Sequence, residues 1–333
     1  MISLNGIRRH KHIIITFGRA FLAVLFILLI IYRVDFQRVA PFLEYVRLDL
    51  LILSYAFSVL TVILMAYRWK IFIKQKNVSV PMLKLLRIYF VGVFFNTFLP
   101  GSIGGDVKRA LDLSNTVGGR SVSLSIVITE RLIGIISLLV MGMLSSFFLF
   151  AITDKFDSLL LIQIFVLSLI GFSIMVAFFS KSVAKILSLK LKTILKIRFL
   201  KNLDIYEKIK EVYKSVYSYK YSGATLFKGF LISFLMRGVW VFACYLVAVS
   251  MGIKPSFSML ILILSIVEIA RMVPISIHGV GIREGVFGAL YSGFGMSFTE
   301  GVLLAFIFYL LLTVNGIVGG VIYAVSNLQS KTQ

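Results

Sequence analysis

The chain has almost no cysteine. Cys244 is the only one, and it sits inside an apolar run. One thiol excludes a disulfide framework and any Cys-based metal set. Its expected role is that of a small buried hydrophobe. Acidic residues are also scarce, 14 Asp and Glu against 35 Lys and Arg. Charged residues of both signs reach only 15% of the sequence, where about 25% is usual for a soluble domain. Enzyme signatures are missing: there is no HExxH, no P-loop and no GxSxG. Gly279-x-Gly281-x-x-x-Gly285 misses the dinucleotide fingerprint by one residue and follows no βαβ pattern. Accordingly, no catalytic residue, metal or cofactor is expected.

What the chain has in abundance is apolar sequence, 59% of its 333 residues. Intrinsic disorder needs the opposite composition. A formal charge of +21 on a soluble protein would suggest nucleic acid. On an apolar chain it points instead to a membrane protein whose basic residues mark one side. Nucleic acid is therefore not an expected partner.

Apolar runs long enough to cross about 30 Å of hydrocarbon recur along the chain. They lie near 13–32, 50–68, 121–150, 158–180, 223–250 and 301–326. The first follows Arg8, Arg9 and Lys11. It is longer than a cleaved signal core and lacks an A-x-A-like exit, so it reads as an uncleaved span. Two further stretches break part-way. One runs from about Pro81 to Pro100 and ends in Pro100-Gly101-Ser102-Ile103-Gly104-Gly105. The other runs from about Ser256 to Pro274 and ends in Pro274-Ile275-Ser276-Ile277-His278-Gly279, with Gly281 beyond. Proline lacks the N–H a helix needs and glycine is too permissive, so both read as helix–break–helix hairpins.

Charge tests this layout. With the N-terminus cytoplasmic and each hairpin returning to its own side, the inner segments carry 24 Lys and Arg and the outer segments 6. That asymmetry satisfies the positive-inside rule and puts both termini in the cytoplasm. Segment 181–222 alone carries 11 of the basic residues, interleaved with apolar ones. Two readings stand for it: a solvated linker, or a basic amphipathic helix on the inner leaflet. It is too short for a catalytic domain.

The two breaks also resemble each other. Residues 100–109 and 274–283 share Pro, Ser, Ile, Gly and Arg at one offset of 174. Two spans precede the first hairpin and one follows it, and the order recurs around the second. A unit with three crossings makes its second copy inverted. The expected fold is an all-α polytopic membrane protein, one integral membrane domain over 1–333. It has about six full spans plus two helix–break–helix hairpins in an inverted-topology repeat, with units at 13–150 and 158–326. Secondary transporters use this logic, and their broken helices bind substrate.

Charges within membrane segments are costly, so they serve function or pair with one another. The candidates are Glu130, Arg131, Arg237, Glu268 and Arg271 in apolar helices, and Asp106, Lys108, Arg109, Arg283 and Glu284 beside the breaks. Asp106, Glu130, Glu268 and Glu284 would pair with the cations. Six cations against four carboxylates leave a surplus, and surplus Arg suits a phosphate because its planar fork binds two oxygens. Glycine-rich breaks could add backbone N–H groups. Asn96, Ser102, Ser276 and His278 could add hydrogen bonds. For His278, titration and a structural role are both open. Arg19 and Lys228 lie near span ends and are expected to snorkel. Gly316, Gly319 and Gly320 suit close helix packing.

These residues carry a resemblance. Asn96 through Arg109 resembles the signature of the flippase-like family named after the lysylphosphatidylglycerol synthase transmembrane domain. Glu130-Arg131-Leu132-Ile133-Gly134, Arg271 through Gly285 and Tyr67-Arg68-Trp69 are similar to it too. The resemblance covers about residues 10–326. It implies an integral membrane fold associated with lipid translocation. In the multiple peptide resistance factor this domain is joined to a cytosolic lysyltransferase domain. Here the sequence ends at Gln333, so lysyltransferase activity is not expected.

The leading expectation is a cell-membrane lipid translocase for an anionic phospholipid or lipid-linked glycan. Arg109, Arg131, Arg237, Arg271 and Arg283 would contact the headgroup. Two alternatives remain: a non-catalytic partner presenting lipid to an envelope glycosyltransferase or lipid synthase, and an embedded lipid-modifying transferase.

Overall fold

The computed structural model describes residues 46–98, 104–152, 158–178, 205–272 and 279–329. Among these residues the regular structure is entirely helical. Long uncharged runs almost free of proline leave the backbone no other way to satisfy its N–H and C=O groups in lipid. The helices are α1 (Leu48–Lys74), α2 (Met82–Phe98), α3 (Gly104–Ser114), α4 (Arg120–Ile152) and α5 (Ser158–Phe178). Then come α6 (Ile205–Ser218), a 3-10 turn (Tyr219–Tyr221), α7 (Gly223–Ser250), α8 (Phe257–Met272), α9 (Ile282–Gly293) and α10 (Phe298–Gln329).

Helices α1, α4, α7 and α10 are each long and apolar enough to cross a bilayer. Helix α5 carries a shorter apolar stretch, Ile162–Ser173. The expected first span, 13–32, lies outside the described residues. So do Pro100, Gly101, Ser102, Pro274, Ser276 and His278. The described part of the first expected hairpin has α2 to Phe98 and that of the second has α8 to Met272, and residues 99–103 and 273–278 lie outside the described residues. Helix α3 resumes at Gly104, so Gly104 and Gly105 form its first turn. Helix α9 begins after Gly281, whose φ of 84° is comfortable only for glycine.

The described residues fall into two compact units. One takes the described parts of Met1–Val59, Phe90–Gly105 and Trp240–Gln333. The other takes Leu60–Tyr89 and Asp106–Val239. In the first unit, Cys244 and Val247 of α7, Leu260 and Val267 of α8, Phe287 of α9 and Phe308 of α10 share one buried cluster. The thiol is thus the core hydrophobe expected. Helix α8 packs on α9, and α9 on α10.

Glycine sets the closest approach in this unit. A Cβ on Gly319 of α10 would lie 1.9 Å from the backbone oxygen of Phe90. Gly316 meets Thr97 and Gly320 meets Phe94 in the same way. The small residues of α10 thus pack within the chain.

In the second unit, α4 packs against α5 and α6. Trp69, Phe72, Leu85, Leu113, Ile126 and Leu138 are fully buried there. Lys76 ties α6 down by donating to Ser218 Oγ at 2.9 Å and to the Ser215 carbonyl at 3.2 Å. Partial burial lowers its pKa from the usual lysine value.

Gly319→Ala is expected to destabilise the purified protein by about 1–3 kcal/mol, because the added methyl meets backbone rather than a movable side chain. Gly238→Ala is the control, since a Cβ there meets nothing within 4 Å. Unfolding midpoints in detergent would compare the two.

Candidate functional site

Arg68 follows the uncharged run 50–67 in α1. Glu130 and Arg131 precede the uncharged run 132–152 in α4. Each helix therefore has charge where its apolar stretch gives out. Helix α3 supplies Asp106 and Arg109, three residues apart on one face. The second unit brings all five together.

Glu130 is the hub, and it is fully buried. Its Oε1 accepts from Arg68 Nη2 at 2.7 Å and from the Tyr89 hydroxyl at 2.9 Å. Its Oε2 accepts from Arg109 Nη1 at 2.9 Å. Arg68 Nη1 also donates to Ser233 Oγ of α7 at 2.8 Å. A Cβ on Gly134, one turn after Glu130, would come within 3.3 Å of that same nitrogen. Glycine at this position leaves room for the guanidinium.

Arg109 continues the chain of charges. Its Nη2 donates to Asp106 Oδ1 at 2.7 Å. Its guanidinium lies 4.2 Å from the Tyr89 ring centre and 5.1 Å from that of Trp69. An arginine between aromatic faces keeps part of the solvation that burial removes. Asp106 Oδ2 accepts from Arg131 Nε at 2.5 Å. The Arg131 side chain is 41% exposed, whereas those of Arg68, Arg109 and Glu130 are at most 7%. The network runs from a sealed end to an open one. Three guanidinium groups face two carboxylates, and the open end is an arginine.

The first unit holds a smaller set. Arg271 Nη2 pairs with Glu268 Oε2 at 3.0 Å on α8. A Cβ on Gly279 would meet the Arg271 side chain at 2.6 Å. Arg283 Nε pairs with Glu284 Oε1, and Glu284 Oε2 accepts the Gly281 N–H at 2.7 Å. Glu284 thus occupies a donor at the start of α9 that sequence reasoning had offered to a ligand. The Arg283 guanidinium lies 4.3 Å from the Tyr309 ring centre. Its Nη1 is buried with no hydrogen-bond partner.

Other candidates fall elsewhere. Asn96 accepts the Gly105 N–H through Oδ1 at 2.8 Å, so it closes the turn into α3. Lys108 pairs with Asp112 along α3 itself. Arg237 is half-buried on α7, one turn beyond Ser233. Among the described residues there is no cluster of His, Cys, Asp or Glu that could hold a metal.

Arg68, Trp69, Tyr89 and Tyr309 were not singled out as site residues from the sequence. Arg68 opens a basic flank and reads as one more topology charge. The Tyr67-Arg68-Trp69 resemblance was the signal that marked it.

Residues 14–319 match the family described as the lysylphosphatidylglycerol synthase TM region. A UPF0104 membrane protein of Pyrococcus horikoshii is 26% identical over 301 residues, covering 86% of this chain and 88% of its own length. A UPF0104 membrane protein of Methanothermobacter thermautotrophicus is 23% identical over 293 residues, covering 83% of each. No solved structure matches.

Glu130→Gln would leave buried Arg68 without its carboxylate and Arg109 with Asp106 alone. A loss of about 3–5 kcal/mol is expected in detergent unfolding. Arg68→Gln made on top of Glu130→Gln should cost much less than Arg68→Gln alone. Equal costs in the two backgrounds would contradict the pairing.

Proposed function

We propose that this chain, which belongs to the family of the lysylphosphatidylglycerol synthase TM region and is a multi-pass membrane protein, translocates a lipid with an anionic phosphate headgroup. The observation that carries this reading is the cluster of three guanidinium groups in the Arg68–Glu130–Arg109–Asp106–Arg131 network, with Arg131 as its exposed member. Asp106 holds Arg131 and Arg109 while the site is empty. A headgroup phosphate offers the same acceptor oxygens with more charge, so it competes with Asp106 for Arg131. Glu130 stays in place, because both of its oxygens are used by the sealed end of the network.

Acyl chains need no polar path, since they remain in hydrocarbon. Only the headgroup must be desolvated and re-solvated, and fixed arginines can do that without a cofactor. In the first unit the unused Arg283 Nη1 is a further donor for the same chemistry. The distribution of basic residues supports a cell-membrane orientation with both termini cytoplasmic. The inverted arrangement of the two broken helices belongs to this same reading.

The test is headgroup accessibility in proteoliposomes, with a fluorescent phospholipid and a membrane-impermeant quencher. The native chain should expose inner-leaflet label, and Arg131→Gln should slow this at least about tenfold, the loss of one charge-assisted phosphate contact. Native rates in both Arg131→Gln and Arg109→Gln would overturn the reading.

A further inference from the structure

A second polar feature of the same unit lies apart from the arginine network. A groove of about 550 Å³ runs between the segment Gly118–Val122 and helix α6. Arg120 and Ser121 line one wall, and Glu211, Lys214 and Ser215 the other. The volume falls in the range of small-ligand sites. Gly118 and Gly119 have φ of 85° and 130°, and a Cβ on either would meet nothing within 4 Å, so that wall is open.

Among the described residues, Arg120, Glu211 and Lys214 make no ion pair. Two cations outweigh one carboxylate, which favours an anion. The Ser121 hydroxyl adds a donor of the kind that completes a phosphate shell, while the Ser215 hydroxyl is bonded to Ser125 Oγ at 2.6 Å.

The surroundings say where the anion comes from. Helices α4 and α7 are both long and apolar enough to span, and they start at Arg120 and Gly223. The uncharged part of α4 begins only at Leu132. The groove therefore lies on the polar side of the hydrocarbon edge. Tyr213, Tyr217 and Tyr221 form a ladder along another face of α6 that leads to the start of α7, with ring centres 6.2 and 6.3 Å apart in succession. Tyr221 is 75% exposed just two residues before α7. Lys220 Nζ lies 5.5 Å from the Tyr217 ring centre. Tyrosine and lysine together are the residues of the membrane–water boundary.

From this we infer that the groove between Gly118–Val122 and α6 binds the phosphate headgroup of an anionic phospholipid from the adjoining leaflet. Arg120 and Lys214 hold the phosphate from opposite walls. This site is separate from the Arg131 end of the network and does not depend on translocation.

The test uses the full chain in nanodiscs of phosphatidylcholine alone or with phosphatidylglycerol, read by amide hydrogen exchange over residues 116–124. Phosphatidylglycerol should slow exchange there by at least about threefold. Arg120→Gln/Lys214→Gln should abolish that difference, and Arg120→Lys/Lys214→Arg should restore it. Arg131→Gln should leave it unchanged, which separates this site from the translocation reading. Inorganic phosphate added to phosphatidylcholine nanodiscs should give no protection. Protection by inorganic phosphate without a phosphatidylglycerol effect would overturn the lipid assignment. A phosphatidylglycerol effect that survives in Arg120→Gln/Lys214→Gln would overturn the site.

Discussion

The carboxylate of Glu130 is the constraint on which the second unit depends. It is fully buried, and it satisfies two arginines and a tyrosine from α1, α2 and α3 at once. A buried carboxylate is expensive unless its charge and its lone pairs are all met. Here they are met, and the cost of separating any one partner keeps four helices in register. Gly134, Ser233 and Trp69 are then fixed by what the guanidinium groups need: room, an acceptor and an aromatic face.

The network is graded in exposure. Among the described residues three guanidinium groups lie against two carboxylates. Arg131 is the exposed member, and Arg68 and Arg109 lie in the interior. The pairs of the first unit, Glu268 with Arg271 and Glu284 with Arg283, are balanced in charge. Arg283 Nη1 is buried there with no hydrogen-bond partner.

Much of the fold was legible in the residues. The run at 223–250 is α7, and those near 121–150 and 301–326 are α4 and α10 extended by a few residues. The proline-containing parts of both expected breaks lie outside the described residues. The site was legible in part. Glu130, Asp106, Arg109 and Arg131 stood out because charge in an apolar context is conspicuous. Arg68 did not, because it also satisfied the positive-inside count. Asn96 was offered to a ligand, yet it holds the turn into α3, a local geometry that composition does not carry. Tyr89 and Tyr309 could not be told from the chain's other aromatics until their rings were seen beside guanidinium groups.

The sequence by itself determined that this is a helical membrane chain, where its helices break and which charges are out of place. Those follow from free energies of transfer, which depend on composition along a single run. Only the tertiary structure decided which charge answers which. Arg68 and Glu130 are 62 positions apart, and their pairing depends on the packing of separate helices. Scarcity of acid, plain in the sequence, took its place there: among the described residues two carboxylates bind the three arginines around Glu130, and Arg131 is the exposed one.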